Sequence, residues 1–244
     1  MHPAEELWSR HHPPTDYPPG VRAVREPIRG TAFFPGGFGL WRPDAAQPLP
    51  DMPVGGIMVL GHDFHSERGY EESLARGCEA ESQPTWRQLR ELFRVVGIEF
   101  MRCFFTNIYM GLREGRNTTG PFPGRSDTAF VEHCRRFLVQ QLMVQRPSVI
   151  VTLGIHVPPF LGELTSDLSD WTRGKGLKYL DRVGPMRPRV RFELEPPLTS
   201  TVVALTHPSL RHASVGHRTY GAEIGNSAEV AMLREALDIS APGA

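Results

Sequence analysis

The sequence predicts a three-layer α/β/α fold around a central, mostly parallel four-stranded sheet. Three observations lead there. Short continuous apolar runs bounded by turn residues recur along the chain, as in strands covered on both faces. Segments with helical periodicity lie between them. The runs also end in polar or ring-bearing residues, as strands do when their carboxyl ends face a ligand.

Taken in order, the first 50 of the 244 residues are proline-rich, with HPPTDYPPG followed by PDAAQPLPDMP, and show no period. They are expected to form an extended arm or an irregular surface wrap, leaving one domain over 51–240. Gly56–Leu60 (GIMVL) is the first predicted strand. Thr85–Val96 places Trp86, Leu89, Leu92 and Phe93 on one helical stripe, with Thr85 as N-cap and Gly97 as terminator. Phe100–Thr106 (FMRCFFT) is the second strand. The connection Gly111–Ser126 (GLREGRNTTGPFPGRS) shows no pattern and reads as a binding loop. A long helix over Asp127–Gln145 turns Phe130, Cys134, Phe137, Leu138, Leu142 and Met143 inward, and Pro147 closes it. Ser148–Leu153 (SVIVTL) and Thr201–Thr206 (TVVALT) are the third and fourth strands, separated by an irregular basic stretch. A last helix covers Ser227–Leu237.

Composition narrows the function. Hydrophobic residues make up 40% and charged residues 22%, in keeping with a globular chain. No run of about eighteen apolar residues occurs, and MHPAEELW is not a signal sequence, so a cytoplasmic protein without membrane contact is expected. Cys78, Cys103 and Cys134 are too few and too scattered for a four-thiolate cluster, and neither a metal nor a cofactor is expected. Basic and acidic residues balance at 27 each, but Trp171–Phe192 holds seven Lys or Arg against one Asp. Such a basic face suits a phosphate backbone. The phosphate loop GxxxxGK[ST], the nucleophile elbow GxSxG and a strand-to-helix GxGxxG are all missing.

The strand ends carry the candidate site. After the first come His62, Asp63, Phe64 and His65; after the second, Asn107 and Tyr109; after the third, Gly154 and His156; after the fourth, His207, Ser209, Leu210 and Arg211. Asp63 is suited to orienting water or balancing positive charge on a sugar. Asn107 offers both a donor and an acceptor to an amide-like edge. His207 can donate to an oxygen that gains charge as a group leaves. Phe64 and His65 can stack on a planar base or close a pocket. Each residue also has an ordinary structural reading, as turn, cap or satisfied core group.

Together these motifs resemble the uracil-DNA glycosylase superfamily over roughly Pro53 to Leu237. GHDFHS is similar to its water-activating motif, with Gly61 and Asp63 matching, and His62, Phe64 and His65 replacing glutamine, proline and tyrosine. CFFTNI resembles the strand ending in the base-reading asparagine, which puts Asn107 in that role. THPSLRHAS resembles the His-Pro-Ser loop, which puts His207 on the base carbonyl and Leu210 with Arg211 in the segment probing the DNA stack. The resemblance implies a monofunctional, monomeric hydrolase of the N-glycosidic bond of uracil or of a modified or deaminated base. It implies DNA with a flipped-out nucleotide as partner, in repair or in defence against modified foreign DNA. Catalytic roles then fall to Asp63 and His207, base contacts to His62, Phe64, His65 and Asn107. DNA contacts fall to Gly154, His156, Arg173, Lys175, Ser209, Leu210 and Arg211. The base-stacking aromatic is sought in Tyr70–Trp86. Two alternatives stand beside this reading: a silent relative that only binds DNA or a flipped base, and a nucleoside or nucleotide hydrolase on a similar fold.

Overall fold

The computed structural model describes residues 7, 9–10, 12–24, 52–77, 80–116 and 118–240. Its strands are β1 (Val21–Arg22), β2 (Ile57–Gly61), β3 (Cys103–Asn107), β4 (Leu112–Arg113), β5 (Val149–Leu153), β6 (Met186–Phe192), β7 (Leu198–Leu205), β8 (Thr219–Tyr220) and β9 (Glu223–Ile224). The longer helices are α1 (Glu67–Arg76), α2 (Pro84–Val96), α3 (Thr128–Gln145) and, after short helical turns, the C-terminal helix Asn226–Ile239.

The central sheet has five strands in the order β3-β2-β5-β7-β6, and helices cover both faces. The four predicted strands form its parallel part, β2, β3, β5 and β7. Their continuous apolar character follows from burial on two sides. Met58, Leu60, Phe104, Ile150, Val202 and Ala204 enter one core with Phe137, Leu138 and Leu142 of α3. Val59, Phe105, Val151, Val203 and Leu205 enter the other, against Trp86, Leu89 and Phe93 of α2 and Met232 and Leu233 of the C-terminal helix.

The expected count of four strands is corrected to five. Within the supposedly irregular basic stretch, β6 pairs antiparallel with β7 at the sheet edge. Its alternation is hidden by a register shift between Arg187 and Val190, where Arg189 has φ 54°. Met186, Val190 and Phe192 are buried while Pro188, Arg189 and Arg191 face solvent, a composition that discourages further pairing at an edge.

Smaller corrections have equally local causes. Pro84 occupies the first turn of α2, so Gln83 rather than Thr85 is the N-cap. Phe100–Arg102 is a 3-10 turn, and the second strand begins at Cys103. Met143 is 40% exposed, at the margin of the α3 stripe rather than inside it. The unpredicted α1 begins directly after the GHDFHS motif, where Ser66 accepts a hydrogen bond from the Gly69 N–H.

The proline-rich arm is described only in part, and PGGFGL and most of PDAAQPLPDMP lie outside the described residues, as does Cys78. What is described packs into the domain. Leu7, Val21 and Val24 join the first core, and β1 pairs with β4 inside the supposed loop Gly111–Ser126. Cys103 and Cys134 are buried free thiols, and burial pushes both up to about 12. No helix among the described residues is long and apolar enough to cross a membrane.

Candidate active site

Strand order sets the place. The chain runs from β2 to β3 on one side and then across to β5 on the other. The carboxyl ends of β2 and β5 therefore flank a switch point, where open α/β sheets bind ligands. A cavity of about 660 Å³ opens there. His62, Asp63, Phe64, His65, Asn107, Gly154, His156, His207, Ser209 and Leu210 all border it, so four separate strand ends supply one site.

Asp63 is the most tightly held of these. Its side chain is 8% exposed and faces Arg113, itself 3% exposed. Arg113 donates from Nη2 to Oδ2 at 2.8 Å, and from Nε to both oxygens at 3.2 Å. The His65 backbone N–H reaches Oδ1 at 3.0 Å, and His62 Nδ1 lies 2.9 Å from Oδ2. Burial alone would raise the carboxyl's proton affinity, but the hydrogen bonds and charges of His62 and Arg113 outweigh it and hold the group below its ordinary range. Asp63 is thus a fixed buried anion. Arg113 is the residue that sequence reasoning missed, inside a loop recognised only as a binding loop.

The opposite wall is neutral. Burial first, then the neighbouring His62, depresses His207 to about 4. Its Nδ1 lies 2.9 Å from Ser209 Oγ. When the serine hydroxyl donates to Nδ1, Nε2 carries the proton and becomes a neutral donor. Close approach of the two strand ends needs Gly154, at φ +84°, where a Cβ would sit 3.1 Å from His207 Cβ. Asn107 is 2% exposed and its Nδ2 has no partner. Thr206 Oγ1, equally unpartnered, borders the same cavity and was not anticipated.

His207 gives the site a pH signature in stability. Unfolded, its imidazole takes up a proton below about 6.5, but in the folded protein only below about 4. Stability is then complete above the unfolded value and falls as pH drops through that window, by roughly 3 kcal/mol in all. His65 and His156, also depressed by burial, act in the same direction. Asp63 is shifted downward from 3.8, so its contribution survives until the medium is more acid still. Urea unfolding at pH 7.5, 6 and 5 measures the slope, and His207→Asn is expected to flatten most of it.

Ring-bearing residues shape the rest. His62 stacks on His156 at 4.6 Å and 22°, with Tyr109 edge-on at 5.4 Å. Phe64 is core, perpendicular to Tyr70. His65 is held at φ 75°, its ring over Gly69, where any Cβ would lie 2.3 Å from Nδ1. Left-handed backbone at a non-glycine residue costs energy and concentrates at functional sites. Within Tyr70–Trp86, both Tyr70 and Trp86 border the cavity.

The basic surface is smaller than the sequence implied. Arg173 and Lys175 are exposed but away from the cavity lining. Arg211, expected on the DNA, is 5% exposed and turned inward, paired with Glu229 and Asn226. Arg218 is 1% exposed between Asp181 and Glu229. A buried carboxylate has claimed both guanidinium groups. Leu210, by contrast, is 53% exposed at the cavity mouth. Among the described residues no group of three or more His, Cys, Asp or Glu is placed to hold a metal. The chain matches no protein-family model and no curated protein sequence.

Proposed function

We propose that the protein is a monofunctional DNA glycosylase, hydrolysing the N-glycosidic bond of a flipped-out nucleotide that carries uracil or a modified or deaminated base. One observation carries this reading: a buried carboxylate, a neutral histidine and an unpartnered amide, from three different strand ends, border one cavity. That set matches the charges of glycosidic cleavage. As the C1′–N bond lengthens, the sugar becomes oxocarbenium-like and the fixed Asp63 anion balances it. The departing base becomes anionic, and His207 and Asn107 supply neutral donors to its oxygens. Both groups are set before the reaction, so little reorganisation is needed.

Extrusion of the base leaves a gap in the stack that the exposed Leu210 side chain can fill. Arg173 and Lys175 would meet phosphates further along the strand. The chain's lysines, Lys175 and Lys178, do not border the cavity, which favours direct hydrolysis over Schiff-base chemistry.

Oligonucleotides bearing uracil, hypoxanthine or C5-substituted pyrimidines, single- and double-stranded, should acquire alkali-labile abasic sites. Asp63→Asn and His207→Ala should each slow release by about 10²–10³-fold. Release at the wild-type rate in both variants would remove these roles. Tight, salt-sensitive DNA binding with no abasic product would identify a silent base-binding relative, and cleavage of free nucleosides with little salt dependence would identify a nucleoside hydrolase.

A further inference from the structure

The crowding of Asp63 has a chemical consequence. Oδ1 accepts from the His65 N–H and Arg113 Nε, and Oδ2 from Arg113 Nε and Nη2 and from His62 Nδ1. A carboxylate has about four lone-pair sites, and here they are occupied. An anion clamped by a bidentate guanidinium is well suited to balancing charge and poorly suited to removing a proton from water.

We infer that His62, oriented by Asp63, is the base that takes the proton from the attacking water. This rests on the glycosidic reading of the cavity and assigns the water chemistry within it. With Nδ1 directed at the Asp63 carboxylate, the tautomer is set and Nε2 keeps its lone pair. His62 borders the cavity, and Nε2 is the nitrogen left for it. The ring cannot swing freely, being stacked on His156 and flanked by Tyr109. This is the nucleophile–base–orienter logic of hydrolytic sites, with water as the nucleophile.

The step balances without any further reactant. The water oxygen bonds to C1′ as the C1′–N bond breaks, and its pair passes to the base nitrogen. One water proton moves to His62 Nε2, producing an imidazolium beside the Asp63 anion. That proton then leaves with the base, so the products are an abasic sugar bearing C1′–OH and a neutral free base.

The test is the single-turnover rate of base release, followed against pH, from a labelled oligonucleotide carrying whichever base of the panel the wild type removes. The groups facing His62 are Asp63, His156, His207, Arg113 and the Tyr109 phenol, so the profile must be compared between variants. Wild type should show a rate rising with pH to a plateau. His62→Asn keeps a donor toward Asp63 but lacks Nε2, and is expected to slow release by about 10²–10⁴-fold and to lose the rising limb. Azide, a nucleophile with no proton to give up, should restore much of its rate as a glycosyl azide. His156→Gln should displace the limb without removing it. DNA affinity and thermal midpoint report whether His62→Asn is folded, and His62→Gln serves if it is not. Release at wild-type rate with the limb intact, or a loss that azide shares equally, overturns the assignment of His62 alone. A wild type inert on the whole panel overturns the glycosidic reading and this inference with it.

Discussion

Arg113→Ala is expected to abolish base release and to lower the unfolding free energy by about 3–5 kcal/mol, the usual result of stripping one partner from a buried ion pair. The substitution leaves Asp63 as an uncompensated anion at 8% exposure. It also orphans loop carbonyls, since Nη1 donates to Thr119 and Pro121 at 3.1 Å and Nη2 to Gly120 at 2.7 Å. The guanidinium further lies 5.6 Å from the Phe122 ring centroid, a cation–π contact. One side chain therefore holds the Asp63 carboxylate and closes the turn of the Gly111–Ser126 segment beside the cavity. Arg113→Lys is the informative companion. It restores a charge but not the fork, so stability should recover in part while release stays low, because a single ammonium cannot orient both oxygens and three carbonyls. Denaturant unfolding and the abasic-site assay read the two effects separately. Wild-type stability in Arg113→Ala would mean that Asp63 has become protonated or hydrated at little cost.

Arg113 also marks where the sequence stopped being legible. The parallel strands could be read because burial on both faces leaves unbroken runs such as IMVLG and VIVTL, and the residues following them sit at the cavity because the fold rule places them there. Asp63, Asn107 and His207 needed only position along the chain. Arg113 needs a partner fifty residues away and a two-residue strand paired with Val21–Arg22, and neither leaves a local pattern. The burial of Arg211 and Arg218 escaped the sequence for the converse reason. Counting arginines reveals charge but not its neutralisation, and Arg187, Arg211 and Arg218 each meet a carboxylate from a different element. His62 could be seen only as a base contact, because which of its ring nitrogens meets Asp63 leaves no trace in the sequence.

Glu229→Ala is expected to be as damaging as the loss of Arg113, though it lies outside the cavity lining. Glu229 is wholly buried and ion-paired with both Arg211 and Arg218. It also accepts from the Thr206 backbone N–H at 2.6 Å, one residue before His207. Arg218 in turn donates to Asp181 at 2.9 Å and to the Ala204 carbonyl at 2.8 Å. Removing the acid strands Arg211 in the interior, leaves Arg218 with Asp181 alone and frees the strand end that aims His207, so a loss of about 3–5 kcal/mol is expected. Release should fall too, because a histidine displaced by about 1 Å no longer meets the leaving oxygen. Glu229→Gln separates the parts, since the amide oxygen still accepts from Thr206 while the charge is gone. A paired replacement, Arg211→Met with Glu229→Met, leaves Arg218 with Asp181 and removes the most exposed imbalance. It should therefore be less destabilised than Glu229→Ala, a non-additivity that unfolding of the single and double variants measures directly. If the double variant is the worse of the two, an unpaired Arg211 is not the source of the loss in Glu229→Ala.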